Sequence, residues 1–404
     1  MQIAQQSTTI RNMIIASAII LALSLGIRHA FALYLEPMSH HFGWGHQVFS
    51  LAIASQNLIW GLAQPFTGAL ADRYGSRIVV AIGGLLYMIG LAIMAVSSTG
   101  ILLNLSLGLI LGIALSATSF SVLLSAIGRM VVAEKRSMAM GIASAAGSFG
   151  QFIMLPSTLM LIQYFGWSAA LLVSAVLVAL ILPLSFWIRS PVIGKQKAFA
   201  NKADLTLKQI LNIARHHRPF WWLSLGFLVC GFQVVFLGIH LPGYLIDHGY
   251  DAKTGTIFLA LVGLFNVIGT YGAGWLGDRY CKARLLTYLY GLRGVAMILF
   301  LLLPLSVYSV YAFGIVMGLL WLSTVPLTNG LVANMFGVKY LSMLSGMVFL
   351  THQIGSFLGG YLGGLNHDLT GDYYYVWLFS ILLSGFGVVI HFFVSDHSAL
   401  PKQE

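Results

Sequence analysis

Two loops decide how this chain is read: Gly68-Ala-Leu-Ala-Asp-Arg-Tyr-Gly-Ser-Arg77 and Gly274-Trp-Leu-Gly-Asp-Arg-Tyr-Cys-Lys-Ala-Arg284. Their Asp-Arg-Tyr triplets begin at Asp72 and Asp278, 206 positions apart, about half of the 404 residues. A Gly-Ser-Phe triplet also recurs, at Gly147 and Gly355, 208 positions apart. One such match is weak, but two in nearly the same register mark an internal duplication.

Each loop separates long apolar runs. With 58% apolar and only 8% charged side chains, the chain lacks the roughly one-quarter charged content of a water-soluble domain. Runs of about 20 apolar residues, the length that crosses a bilayer, lie near 13–37, 47–70, 77–97, 101–127, 138–162 and 166–187. Six more lie near 219–243, 254–277, 285–305, 308–333, 340–364 and 373–394. The spacing predicts an all-α membrane protein of twelve transmembrane helices in two pseudo-symmetric six-helix bundles, residues 1–188 and 219–404, joined by a polar linker at 189–218. Duplicated bundles of this kind build secondary transporters whose site lies near the midplane between the repeats. The first run is read as a retained helix, because no small-residue cleavage site ends it.

Placement of charge sets the orientation. Of 21 Lys and Arg residues, Arg28 and Arg293 fall inside spans and Lys253 stands on one side; the remaining eighteen share the other side with both termini. By the positive-inside rule that side is cytoplasmic, in a multi-pass protein assigned to a bacterial inner membrane. The formal charge of +10 therefore faces the anionic inner leaflet of the lipid bilayer. No exposed basic domain is left for nucleic acid.

Other chemistries find little support. Cys230 in an apolar run and Cys281 in a loop make no disulfide framework. His40, His41 and His46 read as a solvated turn, since a metal site needs a fixed ligand geometry that this loop does not suggest. No cofactor is expected: the glycine-rich run Gly359–Gly364 lies inside a span, without the strand and lysine of a nucleotide loop. No nucleophile and base stand together at motif spacing, so the chain is not read as an enzyme.

The first loop carries the signature G-x-x-x-D-R-x-G-x-[RK] through Gly68, Asp72, Arg73, Gly75 and Arg77, and on it the chain resembles the major facilitator superfamily over essentially its whole length. The second copy keeps Gly274, Asp278 and Arg279 but has Cys281 where glycine is expected. The resemblance implies that Asp72 and the basic residues beside it latch the cytoplasmic side of the outward-facing state. A carboxylate at a span end can meet a helix N-terminus and guanidinium groups. A narrower resemblance is to monocarboxylate and oxalate-formate type transporters. It rests on GIRHAFALYLEPM in the first span and on Glu134-Lys-Arg followed by GIASAAGSFGQFIMLP in the fifth. It implies that Arg28 binds a substrate carboxylate. In the eighth span that family often has an Asp and an Arg four residues apart, where this chain has Asn266 and Thr270.

Arg28 lies near mid-span, where a charge is costly unless it faces a polar cavity or partner. No acidic residue stands at comparable depth in any span. A guanidinium suits the two oxygens of a carboxylate; the other reading bonds Arg28 to neighbours such as Gln56 and Asn57. His352 is also near mid-span and is read either as a substrate donor or proton carrier, or as a histidine bonded to a neighbouring helix. Asn266, Thr270 and Gln151 are further substrate-binding candidates, with Gln233, Trp321, Thr324 and His29 behind them. Asp72, Arg73, Arg77, Asp278, Arg279 and Arg293 are the gating candidates, Arg293 reaching a polar gate or snorkelling to the cytoplasmic surface. The expectation is alternating-access transport of a small organic anion, a monocarboxylate above all, by proton symport or exchange for a counter-anion. Efflux of amphipathic drugs or metabolites and a transporter-like nutrient sensor stand as rivals.

Overall fold

The computed structural model describes residues 2–44, 46–189 and 205–400. Positions 190–204, most of the first half of the expected linker, lie outside the described residues. Among the described residues there are helices and no strands.

The first span is longer than its apolar core predicted. α1 (Gln2–His29) tightens into a 3-10 turn at Ala30–Tyr34 and continues as α2 (Leu35–Phe42), so His40 and His41 lie on a helical last turn rather than in a loop. α3 (His46–Tyr74) and α4 (Ser76–Ala95) follow. The fourth span is composite: α5 (Gly100–Leu103), a π-helical stretch Asn104–Ile110, α6 (Leu111–Thr118) and α7 (Phe120–Met130). α8 (Arg136–Ala179) and α9 (Ile181–Ser185) hold the fifth and sixth spans, parted at Gly166, whose φ of 83° ends helical geometry there. A short α10 (Leu207–His216) precedes α11 (Arg218–Asp247), α12 (Ala252–Gly277) and α13 (Lys282–Leu302). α14 (Val307–Leu320) and α15 (Thr324–Phe336) share the tenth span; α16 (Leu341–Thr370) and α17 (Tyr374–His391) complete the chain. Ten helical stretches among the described residues are long and apolar enough to cross a membrane, one of them the kinked 133–185. With that stretch counted as two spans and the 29-residue α3 added, the twelve expected spans are accounted for.

The residues divide into two compact units: one of Met1–Val132, Ile142–Ala203 and Val338–Met347, the other of Ala133–Gly141, Asp204–Gly337 and Val348–Glu404. In the first unit α3 packs on α4, α6 and the π-helical stretch. α1 meets α8 through glycine: a Cβ on Gly26 would lie 2.7 Å from the Gly150 carbonyl oxygen, and one on Gly147 would lie 2.9 Å from Leu25 Cδ1. In the second unit Gly355 is pressed on α11 in the same manner, its Cβ position 3.1 Å from Phe232 N and closer still to the Leu228 carbonyl. The repeated Gly-Ser-Phe is thus a packing device, letting helix backbones approach as small residues do in bilayers. The second unit has an aromatic core in which Trp377 lies 5.3 Å from Phe236 and 5.5 Å from Phe300, centroid to centroid.

Two spans are broken at matching places. α6 and α7 part at Ser119, which is extended at φ −110° and ψ −164°; α14 and α15 part at 321–323. A helix break inside a bilayer frees backbone groups that lipid cannot hydrogen-bond, so neighbouring side chains or ordered water must take them up. At the first break Gln64 donates to Ser116 O at 2.8 Å, Thr67 donates to the same carbonyl at 3.1 Å, and Trp60 Nε1 donates to Ser119 Oγ at 3.1 Å. At the second, Asn266 Oδ1 accepts from Leu322 N at 2.9 Å and from Thr270 Oγ1 at 3.0 Å. Trp60 and Gln64 on α3 sit 206 positions before Asn266 and Thr270 on α12.

Candidate functional site

The signature loop is built by a close approach followed by a hydrogen-bonded carboxylate. Gly68 faces the start of α16 so closely that a Cβ there would lie 2.8 Å from Met343 Cα. One turn later Asp72 accepts from the amides of Ser342 at 3.2 Å and Met343 at 2.9 Å, the free donors of that helix start. Arg129, in the last turn of α7, donates to Asp72 Oδ1 at 2.5 Å, to Ser76 Oγ at 2.8 Å and to Ser342 Oγ at 3.1 Å. Arg73 and Arg77 are exposed, lying over the rings of Tyr74 and Phe186 at 5.2 and 4.2 Å. The guanidinium on Asp72 is therefore that of Arg129, which the sequence presented only as one more topology-setting charge.

The second loop repeats half of this. A Cβ on Gly274 would lie 2.6 Å from the Ser137 carbonyl oxygen. Asp278 accepts from Ser137 N at 2.8 Å and Met138 N at 2.9 Å, the start of α8. The last turn of α15 ends in Met335 and Phe336 and carries no cation. Arg279 is exposed, stacks on Trp275 at 3.9 Å and donates to its carbonyl. Gly75 caps α4 at φ 95°, a conformation suited to glycine, whereas Cys281 caps α13 at φ −59°. The second loop needs no glycine at that position.

Arg28 is half-buried in the last turn of α1. Its Nη2 donates to Asn57 Oδ1 at 2.6 Å, and the guanidinium lies 5.9 Å from the Trp60 ring. Asn57 is held for this by its own bond to Ile53 O at 3.1 Å. Arg28 Nε is buried without a hydrogen-bond partner, and no carboxylate pairs with the side chain among the described residues. Asn57, one of the polar neighbours considered from the sequence, satisfies one of five donors and none of the charge. His29 Nδ1 is bonded back to Leu25 O at 2.6 Å.

In the second unit His352 is buried on α16, stacked on Phe349 at 5.3 Å, with Nδ1 3.1 Å from Gln353 Oε1 and 3.4 Å from Ser356 Oγ. Cys230 Sγ lies 3.3 Å from Thr324 Oγ1. Arg293 does not snorkel. It is fully buried, donates to Leu320 O through Nε at 3.1 Å and Nη2 at 2.6 Å, reaches Trp321 O, and lies 3.4 Å from Gln233 Oε1. It thereby closes the carbonyl side of the break whose amide side Asn266 closes. Asn266 and Thr270 are both fully buried. Gln151 is half-buried on α8. No group of three or more potential metal ligands occurs among the described residues.

These features, duplicated helices with a glycine-seated carboxylate at each repeat, agree with what sequence and structure comparisons find. Residues 14–360 match the profile of the Major Facilitator Superfamily, and the chain belongs to that family. It is 28% identical over 401 residues to monocarboxylate transporter 13 of Bos taurus, spanning 92% of this chain and 87% of that protein. It is 25% identical over 370 residues to the MFS-type transporter YcxA of Bacillus subtilis (strain 168), spanning 90% of each. In fold it is similar to the E. coli fucose:proton symporter FucP, with a TM-score of 0.72 at 15% identity over 96% of this chain and 99% of that one. The chain is a multi-pass membrane transporter and not an enzyme.

Proposed function

We propose that this transporter carries small organic anions, monocarboxylates foremost, by alternating access with a proton or an exchanged anion as the coupling partner. The observation that carries the proposal is Arg28: a half-buried cation whose Nε is unpartnered and whose charge no described carboxylate neutralises. A carboxylate ligand would supply both the missing charge and the missing acceptor. The similarity to monocarboxylate transporter 13 supports the same class.

In this reading Arg28 anchors the anion, and His352, with Gln353 and Ser356 beside it, carries a proton or donates to substrate. Gln151 is a further ligand, while Asn266 and Thr270 contribute by shaping the broken tenth span. Asp72 and Asp278 gate, helped by Arg293 and by the exposed Arg73, Arg77 and Arg279. The bundles 1–188 and 219–404, the linker 189–218, cytoplasmic termini and a bacterial inner membrane complete the proposal.

The test is uptake of labelled lactate, pyruvate, oxalate and formate into proteoliposomes, with and without an inward proton gradient. Saturable uptake of one or more anions, abolished in Arg28→Gln, is the expected result. Transport of neutral amphipathic compounds in place of every anion would overturn the proposal in favour of efflux.

A further inference from the structure

We infer that α10 is an interfacial helix that binds the anionic phospholipid surface through Lys208 and Arg215. This ten-residue helix begins with a reciprocal cap, Thr206 N donating to Gln209 Oε1 at 2.8 Å while Gln209 N donates to Thr206 Oγ1 at 3.4 Å. It ends one residue before the α11 span, and Trp221 Nε1 donates back to Arg215 O at 3.0 Å. A helix so short needs a surface to lie on.

Its apolar residues occupy one arc at helical spacing, yet only part of that arc is covered. Ile210 and Ala214 are buried, while Leu207 and Leu211, one turn apart on the flank of the arc, are 44% and 37% exposed. Directly beyond that flank stand Lys208 and Arg215, both exposed, two turns apart on one face. Neither has an acidic partner among the described residues, and no Asp or Glu occurs between Asp204 and Asp247. Exposed leucines bordered by cations, tied to a span by an interfacial tryptophan, match the boundary between acyl chains and anionic headgroups. A soluble acidic partner would account for the cations but would leave the leucines in water.

The full chain carrying Cys281→Ser and Leu211→Cys, nitroxide-labelled at 211, is reconstituted in phosphatidylcholine vesicles with increasing phosphatidylglycerol. Label accessibility should shift from a water-soluble nickel complex towards oxygen as the anionic lipid rises. Replacing Lys208 and Arg215 by glutamine should lower the helix's partition constant onto the anionic surface about fivefold per charge, moving the response to higher phosphatidylglycerol, and the charge-preserving pair Lys208→Arg with Arg215→Lys should retain the response. A label that responds identically in the glutamine variant, or stays nickel-accessible at every composition, would overturn the inference. So would a shift reproduced by inorganic phosphate in pure phosphatidylcholine vesicles, which would assign the cations to a soluble anion.

Discussion

Arg129 holds Asp72 from one side while the first turn of α16 holds it from another, and the two side chains that meet at 2.5 Å are only 3% and 1% exposed. A pair so buried is sustained by its additional hydrogen bonds, here from Ser76, Ser342 and two backbone amides. Removing one member leaves the other uncompensated.

Asp72→Asn is therefore expected to cost about 3 to 5 kcal/mol of the interaction and to change the exchange rate between facing states. Asp278→Asn should cost less, about 1 to 3 kcal/mol, the range for a lost hydrogen-bond partner, because the cation near Asp278 is Arg136, which is drawn more strongly to Glu134. Thermal melting and counterflow exchange on the two purified variants check this. Equal losses would contradict the asymmetry.

Gly68→Ala should reproduce the Asp72→Asn defect without touching a charge. The added Cβ displaces the backbone at Ser342 and Met343, and with it the amides that Asp72 uses. The double variant should be markedly less than additive, as expected for residues acting on one contact. Full additivity in a double-mutant cycle would separate the glycine from the carboxylate.

Arg28→Gln is expected to abolish anion binding, and Arg28→Lys to weaken transport by keeping the charge while losing the planar fork. Asn57→Leu frees Nη2, so it should shift substrate affinity without abolishing it. Ligand-induced thermal shifts with lactate or oxalate, measured on each variant, distinguish the three outcomes.

Arg293→Met leaves the carbonyls of Leu320 and Trp321 without the donor they now share. At about 1 to 3 kcal/mol for each unsatisfied buried group, it should lower the melting temperature sharply, and Arg293→Lys should restore part of the loss. Gln64→Leu should be milder, since Thr67 still donates to Ser116 O. A stable Arg293→Met protein would show that the break is held by other means.

The spans and the repeat were legible because apolar length and a fixed register are properties of the sequence itself. Arg129 was not, because a cation at a span end has the same signature whether it sets topology or clasps a carboxylate 57 positions earlier. Cys281 read as degeneration of the motif, although its φ of −59° shows a turn that does not call for glycine. The breaks at Ser119 and at 321–323 were hidden for a related reason: no proline lies near the first, Pro326 in the first turn of α15 falls within one continuous apolar run, and the polar caps are supplied from other spans. Arg28 was legible as an intramembrane cation, while the orientation that leaves its Nε unpartnered depends on Asn57 being fixed by Ile53.

The two broken spans differ in mechanical character. The joint between α6 and α7 is sealed by uncharged amide, hydroxyl and indole groups, which a passing water molecule can replace at little enthalpic loss. The joint between α14 and α15 is sealed by a guanidinium in a low-dielectric interior, and that charge cannot withdraw without finding equally good solvation. The earlier joint is accordingly the compliant one and the later joint the stiff one, so amide hydrogen exchange around Ser119 should outpace that around Leu322, and bending within the spans should be concentrated in the first half of the chain.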